Sequence, residues 1–253
     1  MKITHIGGPT AVLNLGGLTF LIDPAFDEPR EYQLPGRVMK KLTGPAIPAA
    51  ELGPVDVVLV SHDQHKDNLD DAGRALLAGI PTVLSTPDAA TRISGVRGLA
   101  NWESVELPRP DGGVITVTGV PALHGPEGAE EVLGVVTGFV LQGDGLPTVY
   151  VSGDNASLGL VKEIADRFAP IDVAVLFAGA ARTTLLDGAN LTLTSTDAVE
   201  AARLLAAAVV VPVHTEGWAH FTEGPDQFAA AFAEAGLSDR VKLLEHGVAT
   251  DLD

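Results

Sequence analysis

One stretch of the sequence decides the fold: the run VDVVLV at residues 55–60, which leads directly into the polar segment SHDQHKDNLD at residues 61–70. The run is almost wholly apolar on both faces, which predicts a strand buried inside a sheet that is covered on both sides. The polar segment holds two histidines and three aspartates between positions 62 and 70. Imidazole and carboxylate are the ligands that zinc accepts where thiolates are missing, so the sequence predicts a metal site where this strand ends.

Strand patterns lie on both sides of this stretch. Three short runs near the N-terminus, Lys2–Ile6, Thr10–Leu15 and Leu18–Ile22, predict antiparallel strands, with Gly16-Gly17 as a two-residue hairpin turn. A Pro-rich loop is expected from about Pro35 to Pro54. The remaining predicted elements are strands at 82–84, 114–120, 135–141, 148–151 and 209–213 and helices at 70–78, 157–168 and 197–208.

The run IDVAVL at residues 171–176 repeats the pattern of VDVVLV. Each run follows a proline, and each has an aspartate, Asp56 or Asp172, as its second residue. This repetition favours two similar halves within a single domain that spans residues 1–253. The alternative is that any two buried strands of an α/β protein look this similar when each follows a proline.

Composition excludes several classes of protein. The chain has 253 residues and is 46% hydrophobic, enough for one sizeable core. Its net charge of −17 opposes binding to nucleic acid. It has no cysteine, so a metal must be held by His, Asp or Glu. No apolar run has the length of a signal peptide or of a membrane span, so we expect a cytoplasmic protein without membrane contact. The sequence leaves the oligomeric state open.

Three further predicted strands end at residues of the metal-binding types. His124 follows the strand at 114–120, Asp154 follows the strand at 148–151, and His214 follows the strand at 209–213. Ligands in layered α/β folds collect at one edge of the sheet. We therefore expect these three side chains to meet the loop at 61–70.

With these blocks, the sequence resembles the metallo-β-lactamase superfamily, and more narrowly its ascorbate-phosphate-lactonase-like branch of cytoplasmic hydrolases. The blocks that carry the resemblance are THIGG (4–8), LIDP (21–24), the loop after Val60, His124, SGD (152–154) and VPVH (211–214). The resemblance implies an α/β fold, a four-layer αββα sandwich of two similar halves, with one or two metal ions between them. It also implies a metal-dependent hydrolase.

The loop departs from the family's usual HxHxDH pattern. Counted from His62, the second ligand position falls on Gln64 and the acidic position on Lys66. Counted from the other end, His65 and Asp67 take those positions, the loop has one extra residue, and Asn68 replaces the last histidine. Gly8 is a second departure, since relatives often have a histidine there.

The predicted metal ligands are His62, His65, Asp67, His124, Asp154 and His214. Asp67 and Asp154 are the candidate proton acceptors, and Asp154 would bridge two ions or anchor one. Asp67 has a second interpretation as the cap of the helix that follows it. Asp23 is expected to be a structural hydrogen-bonding residue under the site.

For the remaining polar residues, the sequence supports only less specific interpretations. His220 either lines the substrate pocket or is an ordinary core or surface histidine. His5 and His246 are interpreted as structural. Lys66 and Arg182 are among few cations near the rim; either could meet an anionic substrate, but a solvated charge is the preferred interpretation for each.

The leading hypothesis is hydrolysis of an ester, lactone or phosphodiester bond in a small molecule. A zinc ion, or manganese, would activate a water molecule and polarise the scissile group. The alternative is a metal-poor family member that acts as a ligand-binding or scaffolding protein, which Gln64 and Asn68 motivate. A nuclease of the same superfamily is a third possibility, which the net charge disfavours.

Overall fold

The computed structural model describes residues 1–34 and 37–252. Its strands, numbered in chain order, are β1 (Lys2–Gly7), β2 (Thr10–Leu15), β3 (Leu18–Ile22), β4 (Arg30–Leu34), β5 (Arg37–Lys41), β6 (Val57–Leu59), β7 (Thr82–Ser85), β8 (Val96–Gly98), β9 (Ser104–Pro108), β10 (Val114–Ala122), β11 (Val136–Gln142), β12 (Val149–Val151), β13 (Val173–Phe177), β14 (Val209–Val213) and β15 (Thr250–Asp251). Its α-helices are α1 (Asp71–Leu76), α2 (Pro87–Arg92), α3 (Glu130–Leu133), α4 (Leu158–Phe168), α5 (Ser195–Leu204) and α6 (Pro225–Glu234). None of the helices in this described part of the chain combines the length and the apolar character that a membrane crossing needs.

The first sheet has seven strands in the order β15-β1-β2-β3-β6-β7-β8. Strands β1 to β3 are antiparallel, and β3, β6, β7 and β8 are parallel. Gly16 and Gly17 join β2 to β3 with φ angles of 55° and 81°, the left-handed conformation that this hairpin turn requires. The parallel strands bring their carboxyl ends to one edge, so the loop after β6 lies at that edge.

The second sheet repeats this arrangement. Its order is β14-β13-β12-β11-β10-β9, in which β9 to β12 are antiparallel and β12 to β14 are parallel. Strands β6 and β13, which carry the two repeated sequence runs, therefore occupy equivalent places. Each pairs in parallel with the last antiparallel strand of its own sheet.

The two repeated aspartates also have the same role. Asp56 accepts a hydrogen bond from the backbone N–H of Thr19 at 2.8 Å, and Asp172 accepts one from the backbone N–H of Thr148 at 2.7 Å. Each carboxylate thus holds the beginning of the neighbouring parallel strand. The repeated pattern marks two structurally similar halves, beyond the likeness of any two buried strands.

The two sheets pack face to face, and helices cover their outer faces. Side chains from both sheets, such as Phe20, Phe139 and Phe177, form the core between them. Residues of α4, α5 and α6 pack on the outer face of the second sheet. Leu69 and Leu77, which flank α1, pack on the outer face of the first sheet. The predicted four-layer αββα sandwich is confirmed.

The structure corrects the expectation of a loop from about Pro35 to Pro54. Strands β4 and β5 form an antiparallel hairpin there, although Pro35 itself lies outside the described residues. The hairpin is mostly polar, and its buried Tyr32 and Met39 pack against the distant Trp218. Because this contact joins segments that are far apart in the sequence, the residues of the hairpin alone give only weak evidence of strands. The predicted strand at 55–60 is also shorter, covering 57–59.

Helix α1 packs closely on the backbone that follows β3. Gly73 is buried in α1, and a Cβ atom at this position would collide with the carbonyl oxygen of Pro24. We expect Gly73→Ala to lower the free energy of unfolding by about 1–3 kcal/mol, because the helix must shift. Thermal denaturation measures this. The control is Gly79→Ala, where nothing lies within 4 Å of the added Cβ. Equal melting temperatures for the two variants would contradict the prediction.

Candidate metal centre

The loop after β6 carries the first part of the site. The backbone N–H of Thr137 in β11 donates to the carbonyl oxygen of Ser61 at 3.0 Å, which ties the beginning of the loop to the second sheet. Asp23 accepts hydrogen bonds from the backbone N–H and the hydroxyl of Ser61 at 2.6 and 2.7 Å. With Ser61 held from both sides, the next residue, His62, lies completely buried between the sheets. Asp23 is thus a supporting residue beneath the site.

His62, His65, His124 and Asp154 form a first group of donor atoms, all within 4.8 Å of one another. His62 Nε2 lies 2.9 Å from His65 Nδ1, and Asp154 Oδ2 lies 3.5 Å from His124 Nε2. His124 Nδ1 contacts the carbonyl oxygen of Leu191 at 2.8 Å, which orients the other ring nitrogen toward the group. Bonds of about 2.0–2.2 Å to one zinc ion place its ligand atoms at comparable separations.

Asp67, Asp154 and His214 form a second group within the same limit. His214 Nε2 lies 3.2 Å from Asp67 Oδ2, and His214 Nδ1 lies 3.5 Å from Asp154 Oδ1. His220 Nε2 also contacts Asp67 Oδ2, at 2.9 Å. Asp154 belongs to both groups. The structure therefore brings together all six side chains that the sequence nominated. It also places His220, which the sequence left as either a pocket residue or an ordinary histidine, beside Asp67.

The structure places His65, and not Gln64, in the first group. The Gln64 side chain accepts a hydrogen bond from the backbone N–H of Asp63 and lies beside Gly134. Lys66 points outward and forms an ion pair with Asp71. The loop thus has one extra residue between its first two inward-facing histidines.

Asn68 lies where the usual loop has its last histidine, and it is completely buried. Its Nδ2 donates to Asp23 Oδ2 at 3.0 Å and to Asp154 Oδ1 at 3.3 Å. Burial raises the pKa of Asp23 to about 7. An amide group therefore stands between two buried carboxylates, at the position where an imidazole would bind a second cation.

Asp67 does not cap the following helix. Asp70 is the N-cap of α1, and its Oδ1 accepts from the backbone N–H of Gly73 at 2.8 Å. Burial opposes the charge of Asp67, but His220 and His214 hold its pKa well below the usual range. Asp67 is thus free of the capping role and faces the two imidazoles.

Unpartnered polar atoms concentrate at this site. Among the described residues, the buried side-chain atoms without a hydrogen-bond partner include Asp67 Oδ1, Asn68 Oδ1, Asp154 Oδ2, His214 Nδ1 and His220 Nδ1. Each such atom costs about 1–3 kcal/mol when it stays unsatisfied. A cation between these oxygens and nitrogens would satisfy several of them at once, so the residues present fit a metal ion.

The electrostatics also favour a cation. Burial lowers the pKa of His62 and His124 well below its usual value, and burial lowers that of His65 to about 4. These imidazoles are therefore neutral at physiological pH, which is the form that binds metals. Burial, together with the neighbouring charge of Asp67, raises the pKa of Asp154. A cation beside Asp154 would compensate both for the burial of this carboxylate and for the neighbouring charge of Asp67.

A smaller cluster of His5, Glu216 and His246 lies outside these two groups. His246 Nε2 contacts Glu216 Oε1 at 2.9 Å, and His5 Nε2 contacts the carbonyl oxygen of Gly8 at 2.9 Å. The same carbonyl accepts the backbone N–H of His214 at 2.7 Å. His5 thus supports the chain that carries His214, as a structural residue would.

A cavity of about 200 Å³ opens above the donor groups and is lined by His65, Asp67, His124 and His220 among others. Hairpin β4–β5 forms one wall. Lys41, at the end of this hairpin, is buried and donates to the carbonyl oxygen of Ala25 at 2.8 Å and to Asp70 Oδ2 at 3.0 Å. Backbone bonds also join the hairpin to residues 217–219. The wall is therefore fastened to both loops that carry donor groups.

Comparison with known proteins agrees with this geometry. A family model described as a beta-lactamase superfamily domain matches residues 19–215. A metal-dependent hydrolase from Pelotomaculum thermopropionicum is 31% identical over 100% of both chains, and one from Listeria innocua is 27% identical over 98% of this chain and 99% of its own. The chain belongs to the beta-lactamase superfamily. Within it, the chain is a member of the metal-dependent hydrolases.

Solved structures show the same fold. The isothiocyanate hydrolase from Delia radicum gut bacteria superposes with a TM-score of 0.83 and 22% identity over 99% of both chains. A possible metal-dependent hydrolase from Veillonella parvula gives 0.79 and 20% identity over 99% of this chain and 98% of its own. At these identities the structures support the fold alone. The narrower resemblance to the ascorbate-phosphate-lactonase-like branch stays a prediction.

Asp63 anchors the loop after β6 through ion pairs with two arginines. Arg92 Nε donates to its carboxylate at 3.1 Å and Arg74 Nη2 at 3.2 Å. Burial opposes the charge of Asp63, but these two guanidinium groups hold its pKa below the usual range. We expect Asp63→Asn to lower the free energy of unfolding by about 1–3 kcal/mol at pH 7.

The pH dependence of this difference has a definite sign. Because the pKa of Asp63 is lower in the folded state, its contribution is complete above the unfolded value of about 3.9 and fades as the pH falls through the folded value. Urea denaturation of both proteins from pH 7 to pH 3 measures the difference. Asp166→Asn, in an exposed pair with Lys162, is the control, with an expected change within about 0.5 kcal/mol. A difference that grows toward low pH would contradict this account.

Proposed function

We propose that the protein hydrolyses an ester, lactone or phosphodiester bond of a small molecule, with a divalent metal ion held by His62, His65, His124 and Asp154. The observation that carries the proposal is the pair of donor groups that share Asp154 at the base of the cavity. A divalent ion in this place supplies a Lewis acid, which lowers the pKa of water toward ~7 and polarises the oxygen of the scissile group.

Asp67 is the residue best placed to take the proton of the attacking water. It lines the cavity, whereas Asp154 lies completely buried beneath it. Its Oδ2 contacts His214 and His220, which leaves Oδ1 without a partner among the described residues. Oδ1 is therefore the oxygen of this carboxylate that is open to a water molecule in the cavity. His220 then acts as a positioning residue that fixes the orientation of Asp67.

The donor types support zinc as the metal. Three imidazoles and one carboxylate suit zinc, whereas the second group has two carboxylates and one imidazole and would also accept manganese. Asn68 removes one donor from this second group, and its amide N–H already satisfies Asp154 Oδ1. We therefore propose one tightly bound ion and a weak second position. The cytoplasmic location expected from the sequence stays a prediction.

A metal-poor binding or scaffolding protein is the second candidate, and Asn68 is the observation that favours it. Gln64 no longer does so, because it turns away and His65 faces His62 instead. The two candidates differ in metal content. Protein that stays metal-free after incubation with Zn²⁺ and with Mn²⁺ would exclude the hydrolase and favour the second candidate.

The test of the leading proposal combines metal analysis with an activity assay. Purified protein is stripped with EDTA, reloaded with Zn²⁺ or Mn²⁺ and measured by mass spectrometry of the metal, and hydrolysis of nitrophenyl esters and bis-nitrophenyl phosphate is followed. We expect His124→Ala and Asp154→Asn to lose the tight ion and about 100-fold or more of the activity. The matched control, His246→Ala, keeps both. Unchanged activity in both site variants would refute the assignment.

The role of Asn68 has its own prediction. We expect the wild type to hold about one ion per chain after gel filtration and Asn68→His to hold about two, because the added imidazole supplies the missing donor. Circular dichroism checks that the variant is folded. A wild type that retains two ions of equal affinity would show that Asn68 does not weaken the second position.

A further inference from the structure

The charges around the cavity are the reverse of those of the whole chain. The protein has 33 acidic and 16 basic residues. The cavity, in contrast, is lined by three cations, Arg37, Lys40 and Arg182, and in the described residues its lining includes one carboxylate, that of Asp67. Asp67 already faces two imidazoles of the site. The mouth of the cavity is therefore locally positive on a strongly negative protein, which favours the entry of anions.

The three cations differ in their ion-pair and hydrogen-bond partners. Lys40 Nζ lies 3.6 Å from Glu31 Oε1, so its charge is compensated on the outside of hairpin β4–β5. Arg37 Nη1 contacts Thr183 Oγ1 at 3.5 Å, and Arg182 Nε donates to Asn190 Oδ1 at 2.8 Å. Within the described part of the chain, neither guanidinium lies within 4.0 Å of a carboxylate. Both arginines thus keep most of their donors available.

Each arginine is connected to the metal centre. The backbone N–H of Arg182 donates to the carbonyl oxygen of His220 at 3.1 Å, so this residue is anchored beside the partner of Asp67. Arg37 lines the same cavity as His65, Asp67 and His124, which belong to the two donor groups. An anion held by these arginines would lie beside the scissile bond.

The rest of the cavity limits what this anion is attached to. Its volume of about 200 Å³ lies below the roughly 300–1,000 Å³ typical of drug-sized ligand pockets. Val38, Met39 and Leu191 supply apolar walls. A short aliphatic substrate with one anionic end fits these surfaces, because guanidinium groups bind carboxylate and phosphate through paired hydrogen bonds.

We propose that Arg37 and Arg182 form an anion subsite, and that the substrate is a small ester or lactone with a carboxylate or phosphate group apart from the bond that is cleaved. This inference rests on the proposed hydrolase function and names its substrate class. Arg37 and Arg182 are specificity-determining residues in it. Asp67 and the metal ligands cleave the bond, whereas the arginines select the molecule.

The test compares two esters that differ in one group. Mono-4-nitrophenyl glutarate carries a carboxylate where 4-nitrophenyl valerate carries a methyl group, and both release the same chromophore. With the zinc-loaded protein we expect kcat/KM to be at least about tenfold higher for the glutarate ester, mainly through a lower KM. Arg37→Gln is expected to reduce this preference by about tenfold, and Arg37→Lys by less. Lys162→Gln, in an exposed pair with Asp166 and outside the cavity lining, leaves the preference unchanged.

A binding measurement separates this inference from the function on which it rests. We expect isothermal titration with glutarate to show saturable binding to the wild type and binding at least about tenfold weaker to Arg37→Gln. Hydrolysis of both esters with equal efficiency would overturn the subsite and leave the hydrolase intact. Hydrolysis of neither ester, with glutarate bound through Arg37, would overturn the hydrolase and retain the subsite. Equal glutarate binding by the wild type and Arg37→Gln would overturn the subsite, whatever the activity.

Discussion

The two donor groups converge on Asp154, a carboxylate buried completely where the two sheets meet. One of its oxygens faces His62 and His124, and the other faces His214 and the amide of Asn68. A buried charge with so few hydrogen bonds is stable only when a counter-charge compensates for it. The first sheet supplies the loop with His62 and His65, and the second sheet supplies His124, Asp154 and His214. Since both halves contribute donors to the proposed cation site, a bound cation would link metal binding to the packing of the two halves.

Much of this could be predicted from the sequence, for a physical reason. Apolar strands that end in His or Asp deliver those side chains to one edge of a sheet, so His124, Asp154 and His214 were recognisable without knowledge of the fold. The repeated aspartates likewise indicated the two similar halves. The hydrogen bonds of Asp56 and Asp172 explain why an acidic residue recurs near the start of a buried strand.

The parts that could not be predicted depend on contacts between distant segments. Counting along the loop allowed either Gln64 or His65 to face inward, because one extra residue shifts the register. The Gln64 side chain accepts from the backbone N–H of Asp63 and lies beside Gly134, contacts that the sequence pattern does not show. His220 had no distinguishing pattern, and its role follows from its contact with Asp67, 153 residues earlier in the chain. Arg37 gave no signal because it lies in a stretch that the sequence presented as a loop.

The attachment of the β4–β5 hairpin has a consequence for how such an enzyme changes over evolutionary time. Lys41 and the backbone bonds to residues 217–219 hold the base of the hairpin, and they involve few of the side chains that face the cavity. Replacement of the wall-forming residues, such as Arg37 and Val38, therefore leaves the anchoring intact. The cavity-facing side chains of the hairpin can therefore vary without loss of its attachment, so that changes in substrate preference and in the chemistry beneath can occur independently.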